Sequence, residues 1–300
     1  DCNYYVLRDN LAKAKEQFKD IPRMLKAFEH WFGPYPFYED SYKLVEAPYL
    51  GMEHQSSVTY GNGFKNGYRG RDLSGTGWGL KFDFIIIHES GHEWFANNIT
   101  YKDIADMWIH ESFTNYSESL FVEYYYGKEA GFEYVRGIRK NIQNDKPIIG
   151  HYDVNNEGSS DMYYKGANML HTLRQIVNDD EKWRTILRGL NSTFYHQTVN
   201  TKQIEDYLSV AVGMDLEPFF NQYLRDTRIP TLEYFFKDST LGFRWTNCVN
   251  GFNMPVKIFL NGEEKWLKPN TDWASDTITA EKPQLKIDSN FYVAEFDITE

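Results

Sequence analysis

The sequence predicts an α+β fold, with a mostly helical domain over residues 1–229 followed by a small antiparallel β-sandwich over residues 230–300. Three observations carry this expectation. Apolar residues recur at three-to-four-residue spacing through most of the chain up to about residue 226, as on the buried stripe of a helix. Beyond Pro230 short runs alternate apolar and polar residues, as on strands with one buried face. Within that second region Asn261-Gly262 separates Val256-Lys257-Ile258-Phe259-Leu260 from Lys265-Trp266-Leu267, a strong two-residue hairpin signal.

Taken in order, Phe18, Ile21, Leu25, Phe28 and Phe32 form the first helical stripe. Pro22 is expected to kink or split it, and Gly33-Pro34 to end it. Residues 42–60 read as strands. Seven glycines lie between Gly61 and Gly79, but no Lys-Ser or Lys-Thr follows, so a flexible loop is expected there rather than a nucleotide cradle. A helix over about 80–98 and a second over 108–126, stopped by Gly127, come next. Further helices are expected over about 128–144, 162–178, 180–190, 201–212 and 215–226.

Composition narrows the function classes. The chain is 41% hydrophobic and 17% aromatic, enough for a sizeable core. A net charge of −11 without Lys/Arg clusters argues against nucleic acid or an anionic membrane as partner. No apolar run is long enough to span a bilayer as a helix. Cys2 and Cys248 make no disulfide framework, and whether they pair is left open. The start at Asp1, with neither an initiator Met nor a signal peptide, leads us to expect a piece of something longer.

The chemistry is concentrated in His88-Glu89-Ser90-Gly91-His92. Histidines four apart lie on one helical face, where both imidazoles reach a single metal ion. Such a motif arises by chance in roughly 2% of chains of this composition, and a correctly spaced distal Glu lowers that about tenfold. Glu111 is that residue, completing a set of two nitrogens and one carboxylate that leaves a catalytic Zn²⁺ an open position. One zinc per chain is therefore expected, with Glu89 beside it as general base. Surface histidines on a solvated helix fit poorly, because the approach Phe82-Asp83-Phe84-Ile85-Ile86-Ile87 is apolar almost all round. Glu118, seven residues after Glu111, shares its helical face and reads either as support for a ligand histidine or as a plain surface glutamate.

Four segments also follow a known order: Leu50-Gly51-Met52-Glu53-His54; His88 through Trp94-Phe95-Ala96-Asn97; Trp108-Ile109-His110-Glu111-Ser112-Phe113-Thr114; and Tyr163-Tyr164-Lys165-Gly166. In these the chain resembles the aminopeptidase N family of gluzincin zinc metallopeptidases. The stretch from Phe219 to Pro230 is similar to that family's passage from a helical domain into a β-sandwich. The resemblance implies a thermolysin-like catalytic domain and peptide substrates with a free N-terminus. It implies that Tyr163 donates to the oxyanion, with Tyr164 as competitor, and that Glu53 binds the α-ammonium while Gly51 and Met52 line the substrate. It also implies an N-terminal β-rich domain of the same protein ahead of this segment. Departures fall at His54, His110 and Ser112, where the family has Asn, Asn and Gly, and Glu53-His54 with Ser57 resembles the related glycyl aminopeptidases. These departures bear on side-chain preference and leave the metal chemistry untouched, and His54 and His110 read as hydrogen-bonding residues rather than extra ligands. A thermolysin-type endopeptidase and a non-catalytic peptide-binding relative are the alternatives.

Overall fold

The structure is a computed structural model that describes residues 1–279 and 282–299. Strand β1 (Cys2–Tyr5) leads into helices α1 (Leu11–Gln17) and α2 (Asp20–Phe32). Pro22 thus falls in the first turn of α2, where a missing N–H costs nothing, and the stripe splits just before it rather than kinking at it. Phe28, Ile21 and Met24 on α2 are fully buried.

Strands β2 (Tyr42–Glu46), β3 (Gly51–Met52) and β4 (Val58–Tyr60) follow. With β1 they form one sheet in the order β1-β2-β4-β3, in which β3 is an edge and pairs antiparallel to β4 only. The glycine-rich segment after β4 is not a loose loop. Asn62 is buried and donates to Lys65 O at 2.7 Å, Gly67 O at 2.9 Å and Asp83 Oδ1 at 2.8 Å, while Asp72 accepts from Ser74 N and Gly77 N. Buried side-chain hydrogen bonds of this kind replace the missing ladder and hold an irregular backbone in one shape.

Helix α3 (Phe84–Gly91) is shorter than the expected span of 80–98. Asp83 caps its start by accepting from Ile85 N and Ile86 N at 3.1 and 3.3 Å. After His92 the chain widens, with Asn97 N bonding to His92 O at 3.0 Å, and then leaves helical geometry at Phe95 and Ala96. It continues as β5 (Ile99–Tyr101) and then α4 (Trp108–Tyr126), which ends at Gly127 as expected.

The remaining helices are α5 (Lys128–Gly137), α6 (Tyr164–Val177), α7 (Asp180–Thr193), α8 (Thr201–Val212) and α9 (Glu217–Arg225). Strand β6 (Gln197–Val199), between α7 and α8, pairs with β5, a two-stranded element that periodicity did not reveal. No helix among the described residues is long and apolar enough to cross a membrane.

Strands begin again at Thr231. Here β7 (Thr231–Lys237), β8 (Thr240–Thr246), β11 (Ala274–Thr277) and β13 (Ala294–Asp297) form a sheet in the order β11-β8-β7-β13. A second sheet holds β9 (Val256–Leu260), β10 (Glu263–Leu267) and β12 (Leu285–Ile287) in the order β10-β9-β12. Asn261 and Gly262 form the two-residue turn between β9 and β10, both at positive φ. The sheets are antiparallel except at β13, which pairs parallel with β7. The segment between β12 and β13 docks on the helices through polar contacts: Tyr223 OH donates to Tyr292 O at 2.8 Å, and Arg139 donates to Ser289 O and Asn290 O. Cys2 and Cys248 are both free thiols.

Candidate active site

The site is built where α3 crosses α4. Gly91 makes the close approach possible, since a Cβ there would lie 2.8 Å from Ser117 Oγ and 3.1 Å from Thr114 Cγ2 on α4. His88 is buried on α3 and His92, one turn on, at the cap that ends it; Glu111 and Glu118 are buried on α4.

Both imidazoles present the same nitrogen. His88 Nδ1 lies 2.8 Å from Glu118 Oε1, and His92 Nδ1 lies 3.0 Å from Phe95 O and 3.1 Å from Thr114 Oγ1. A carboxylate and a carbonyl only accept, so each Nδ1 carries the proton and each Nε2 keeps its lone pair. The two Nε2 atoms converge on Glu111 Oε2, at 3.4 Å from His88 and 3.5 Å from His92. Glu111 Oε2 is buried and has no hydrogen-bond partner. A tetrahedral Zn²⁺ bonded at about 2.1 Å holds its ligand atoms about 3.4 Å apart. The residues present therefore fit the ion: separation, donor set and an orphaned buried oxygen agree.

Charge sharpens the picture. Burial pushes the His92 imidazole down, but the Glu111 carboxylate outweighs this and holds it up at about 9. His88 is likewise raised well above its ordinary value, burial being overcome by Glu111 and Glu118. For Glu111 burial acts upward, and His92 and His88 bring the carboxyl well below the usual range. The buried carboxylate thus demands positive charge at this point, which protons supply to the chain alone and a divalent cation supplies better.

Around this set stand the other expected residues. Glu89 is buried, and burial, reinforced by Glu53 and Glu111 against the two histidines, raises its carboxyl. It packs against the backbone of Gly51 so closely that a Cβ at Gly51 would lie 2.9 Å from Glu89 Oε1 and 2.8 Å from Ile85 Cγ2. Glu53, half-buried, reaches into the same space: one carboxylate oxygen each from Glu53 and Glu89 and a nitrogen of His92 lie within 4.8 Å of one another. Met52 is exposed on the edge strand. Tyr163 precedes α6 with its ring 6.0 Å from that of His88 and inclined by 29°. Burial and then Glu111 and Glu89 raise its phenol, whereas Tyr164 is raised by burial and then Glu118, on the far side of His88.

Glu118 is fully buried rather than a surface residue, held from three sides by His88, by Asn115 Nδ2 at 2.9 Å and by Tyr134 OH at 2.6 Å. His110 is buried as well. Its Nε2 accepts from Tyr101 N at 3.0 Å and its ring stacks on Tyr101, while burial lowers it to about 3, so it is neutral and turned to the backbone. His54 is exposed. Ser112 donates to Met162 O at 2.7 Å and packs on Gly166, tying α4 to the start of α6. Three groups escaped the sequence reading: Thr114, Tyr134 and Phe95 O. Thr114 carried a signal, lying one turn beyond Glu111, but Tyr134 sits on another helix and Phe95 contributes only backbone.

The profile of the peptidase family M1 domain matches residues 17–223. The chain belongs to peptidase family M1. Among its curated relatives, aminopeptidase N of Lactococcus lactis is 28% identical over 225 residues, covering 67% of this chain and 25% of that protein. The M1 chain spans about a quarter of the length of such relatives. Legionella pneumophila aminopeptidase A, solved in complex with aspartic acid, superposes with a TM-score of 0.69 at 14% identity, covering 98% of this chain and 36% of its own. An M1 zinc metallopeptidase from Deinococcus radiodurans, bound to a Tyr-Ser-Ala substrate, gives 0.53 at 23% identity, with 68% and 43% covered. These likenesses agree on the α+β fold.

Proposed function

We propose that this protein is a zinc-dependent aminopeptidase, hydrolysing the N-terminal peptide bond of peptides. One observation carries the reading: His88 Nε2, His92 Nε2 and the partnerless Glu111 Oε2 meet at zinc-ligand separations inside a buried pocket, with a free carboxylate, Glu89, alongside. The names of relatives such as aminopeptidase N support it.

In this reading His88, His92 and Glu111 hold the ion, which when bound supplies Lewis acidity to the attacking water and to the scissile carbonyl. Glu89 takes the proton of that water and delivers it to the departing amine, a role suited to a carboxyl raised by burial. Tyr163 donates its hydroxyl to the oxyanion as the carbonyl becomes tetrahedral, a contact strongest in the transition state. Glu53 pairs with the substrate's ammonium, which sets the reaction at the chain end. The open side of β3, at Gly51–Met52, offers unpaired backbone groups to an extended peptide. Glu118 fixes the His88 ring from behind.

The test compares a free and an N-acetylated form of one peptide, with and without chelator. Cleavage of the free form, abolished by chelator and reduced by Glu53→Ala by a factor on the order of 30 or more, is expected for an ammonium pair in a partly desolvated cleft. Equal cleavage of both forms would make the protein an endopeptidase.

A further inference from the structure

A pocket of about 380 Å³ lies apart from the candidate active site, and none of the residues assigned to that site lines it. It is built between the segment joining α2 to β2 and the turn joining α7 to β6. Five aromatic rings meet in it: Tyr35, Phe37 and Tyr38 from the first segment, Tyr195 and His196 from the turn. Phe37, His196 and Tyr195 form one flat stack, with ring centres 4.8 Å apart at 11° and then 3.9 Å apart at 18°. Tyr38 stands steeply to Tyr35, at 70° and 5.7 Å. The rings are fixed in advance. Tyr195 OH and His196 Nε2 both donate to Pro36 O at 3.0 Å, Tyr35 OH donates to Glu93 Oε2 at 3.2 Å, and Tyr38 OH donates to Glu29. Even so, Tyr38 and Tyr195 remain 62% and 52% exposed, so their faces are open to a ligand.

The rim is acidic. Glu39 and Asp40 line the same pocket, and both are exposed. Among the described residues neither carboxylate forms an ion pair: Lys43 donates to the Asp40 carbonyl, and the neutral Gln55 Nε2 donates to Asp40 Oδ2 at 2.9 Å. Nor does an arginine or lysine among the described residues lie over Tyr35, Phe37, Tyr38 or Tyr195. Aromatic faces carry negative potential, so the rings and the carboxylates attract the same partner, a cation. The stack says which kind. A guanidinium is flat, extends a pile of rings beyond Tyr195 and pairs with a carboxylate through two parallel N–H groups, whereas an ammonium is a strongly hydrated point charge.

We propose that this pocket docks an arginine side chain of a polypeptide, its guanidinium stacked on Tyr195 and paired with Glu39 or Asp40. The site does not depend on the aminopeptidase reading, although through Asp40 and Gln55 it adjoins the segment that carries Glu53. A polypeptide suits the rim better than the free amino acid does, because the α-carboxylate of free arginine would be brought up to two like charges.

The test titrates the whole protein, with zinc added, calorimetrically with N-acetyl-arginine-amide, whose blocked amine gives Glu53 no ammonium to pair with. It should bind about tenfold or more tightly than the uncharged citrulline amide of the same shape, and more tightly than N-acetyl-lysine-amide or free arginine. Glu39→Gln and Tyr195→Ala should each weaken it by about fivefold or more, whereas Tyr195→Phe, which keeps the ring, should retain most of the affinity. Equal affinity for citrulline, or an affinity that neither Glu39→Gln nor Tyr195→Ala moves, would overturn the site. A preference for lysine would overturn the guanidinium assignment, and a preference for free arginine the polypeptide one. Loss of binding with Glu53→Ala but not with Glu39→Gln would place the cation in the candidate active site and overturn the separate pocket.

Discussion

Glu118 acts on the site without facing it: its carboxylate sits behind His88, where it fixes which ring nitrogen carries the proton. Glu118→Ala should therefore weaken zinc affinity by about 10- to 100-fold, whereas Glu118→Gln, which still accepts from Nδ1, should recover most of it. Titration with a zinc indicator measures both. Glu89 gives the opposite signature. Glu89→Gln should retain zinc and fold while losing several orders of magnitude in kcat, because the amide takes no proton. Near-normal turnover with zinc bound would refute the role. Tyr163→Phe should lower kcat by about 10² to 10³ with little change in KM, and Tyr164→Phe should be mild. A reversed ranking would transfer the oxyanion role to Tyr164. His88, His92 and Glu118 were legible because helical spacing brings i, i+4 and i+7 to one face, whereas Tyr163 was legible only through the resemblance to the family's motif. Tyr134 was not, since no spacing rule links it to Glu118 across two helices.

The elements show where spacing fails. Apolar periodicity found α4 and its stop at Gly127, but ran α3 together with residues 93–98, because Trp94 and Phe95 are buried whether or not the backbone is helical. The pairing of β5 with β6 was hidden for another reason, being set by partners about a hundred residues apart. At its other end α3 depends on one buried side chain. Asp83 caps the helix and also accepts from Tyr60 OH and Gln17 Nε2, each at 2.7 Å, and Asn62 Nδ2 at 2.8 Å, while its own N–H donates to Asp20 Oδ2. Burial nonetheless outweighs these donors and lifts its carboxyl to about 6. A group that binds its proton more tightly in the fold than in the unfolded chain adds stability at low pH. That contribution disappears as pH rises from about 4 to about 6, a change of about 3 kcal/mol for this group. Asparagine caps as well and does not ionise. Asp83→Asn should therefore flatten the pH dependence of the urea midpoint across this interval. An unchanged slope would show that Asp83 titrates normally.

At the scale of the whole molecule, the site is carried by the core rather than by the loops around it. Buried aromatics on either side of α3 pack on its neighbours, Trp94 against Phe28 of α2 at 5.6 Å and Phe82 against Phe121 of α4 at 5.5 Å, and α4 is tied to α6 through Ser112. Such packing is expected to hold the proposed ligands converged by itself, so that bound zinc would add to a fold already formed instead of creating it as in a small zinc finger. An ion that binds the folded chain alone stabilises it by RT ln(1 + [L]/Kd), about 4 kcal/mol when free zinc exceeds Kd a thousandfold. For a chain of 300 residues this corresponds to a rise in Tm of about 6 °C. Calorimetry of the chelated protein should thus give a single cooperative transition, shifted down by that amount and restored by added zinc. His88→Ala should abolish the zinc-dependent shift while leaving a folded protein, because it removes a ligand and also leaves Glu118 short of one partner but spares the aromatic packing. Complete unfolding on chelation would mean that the ion, and not the helical core, holds α3 against α4. An identical Tm with and without zinc would mean that His88, His92 and Glu111 bind no zinc in solution.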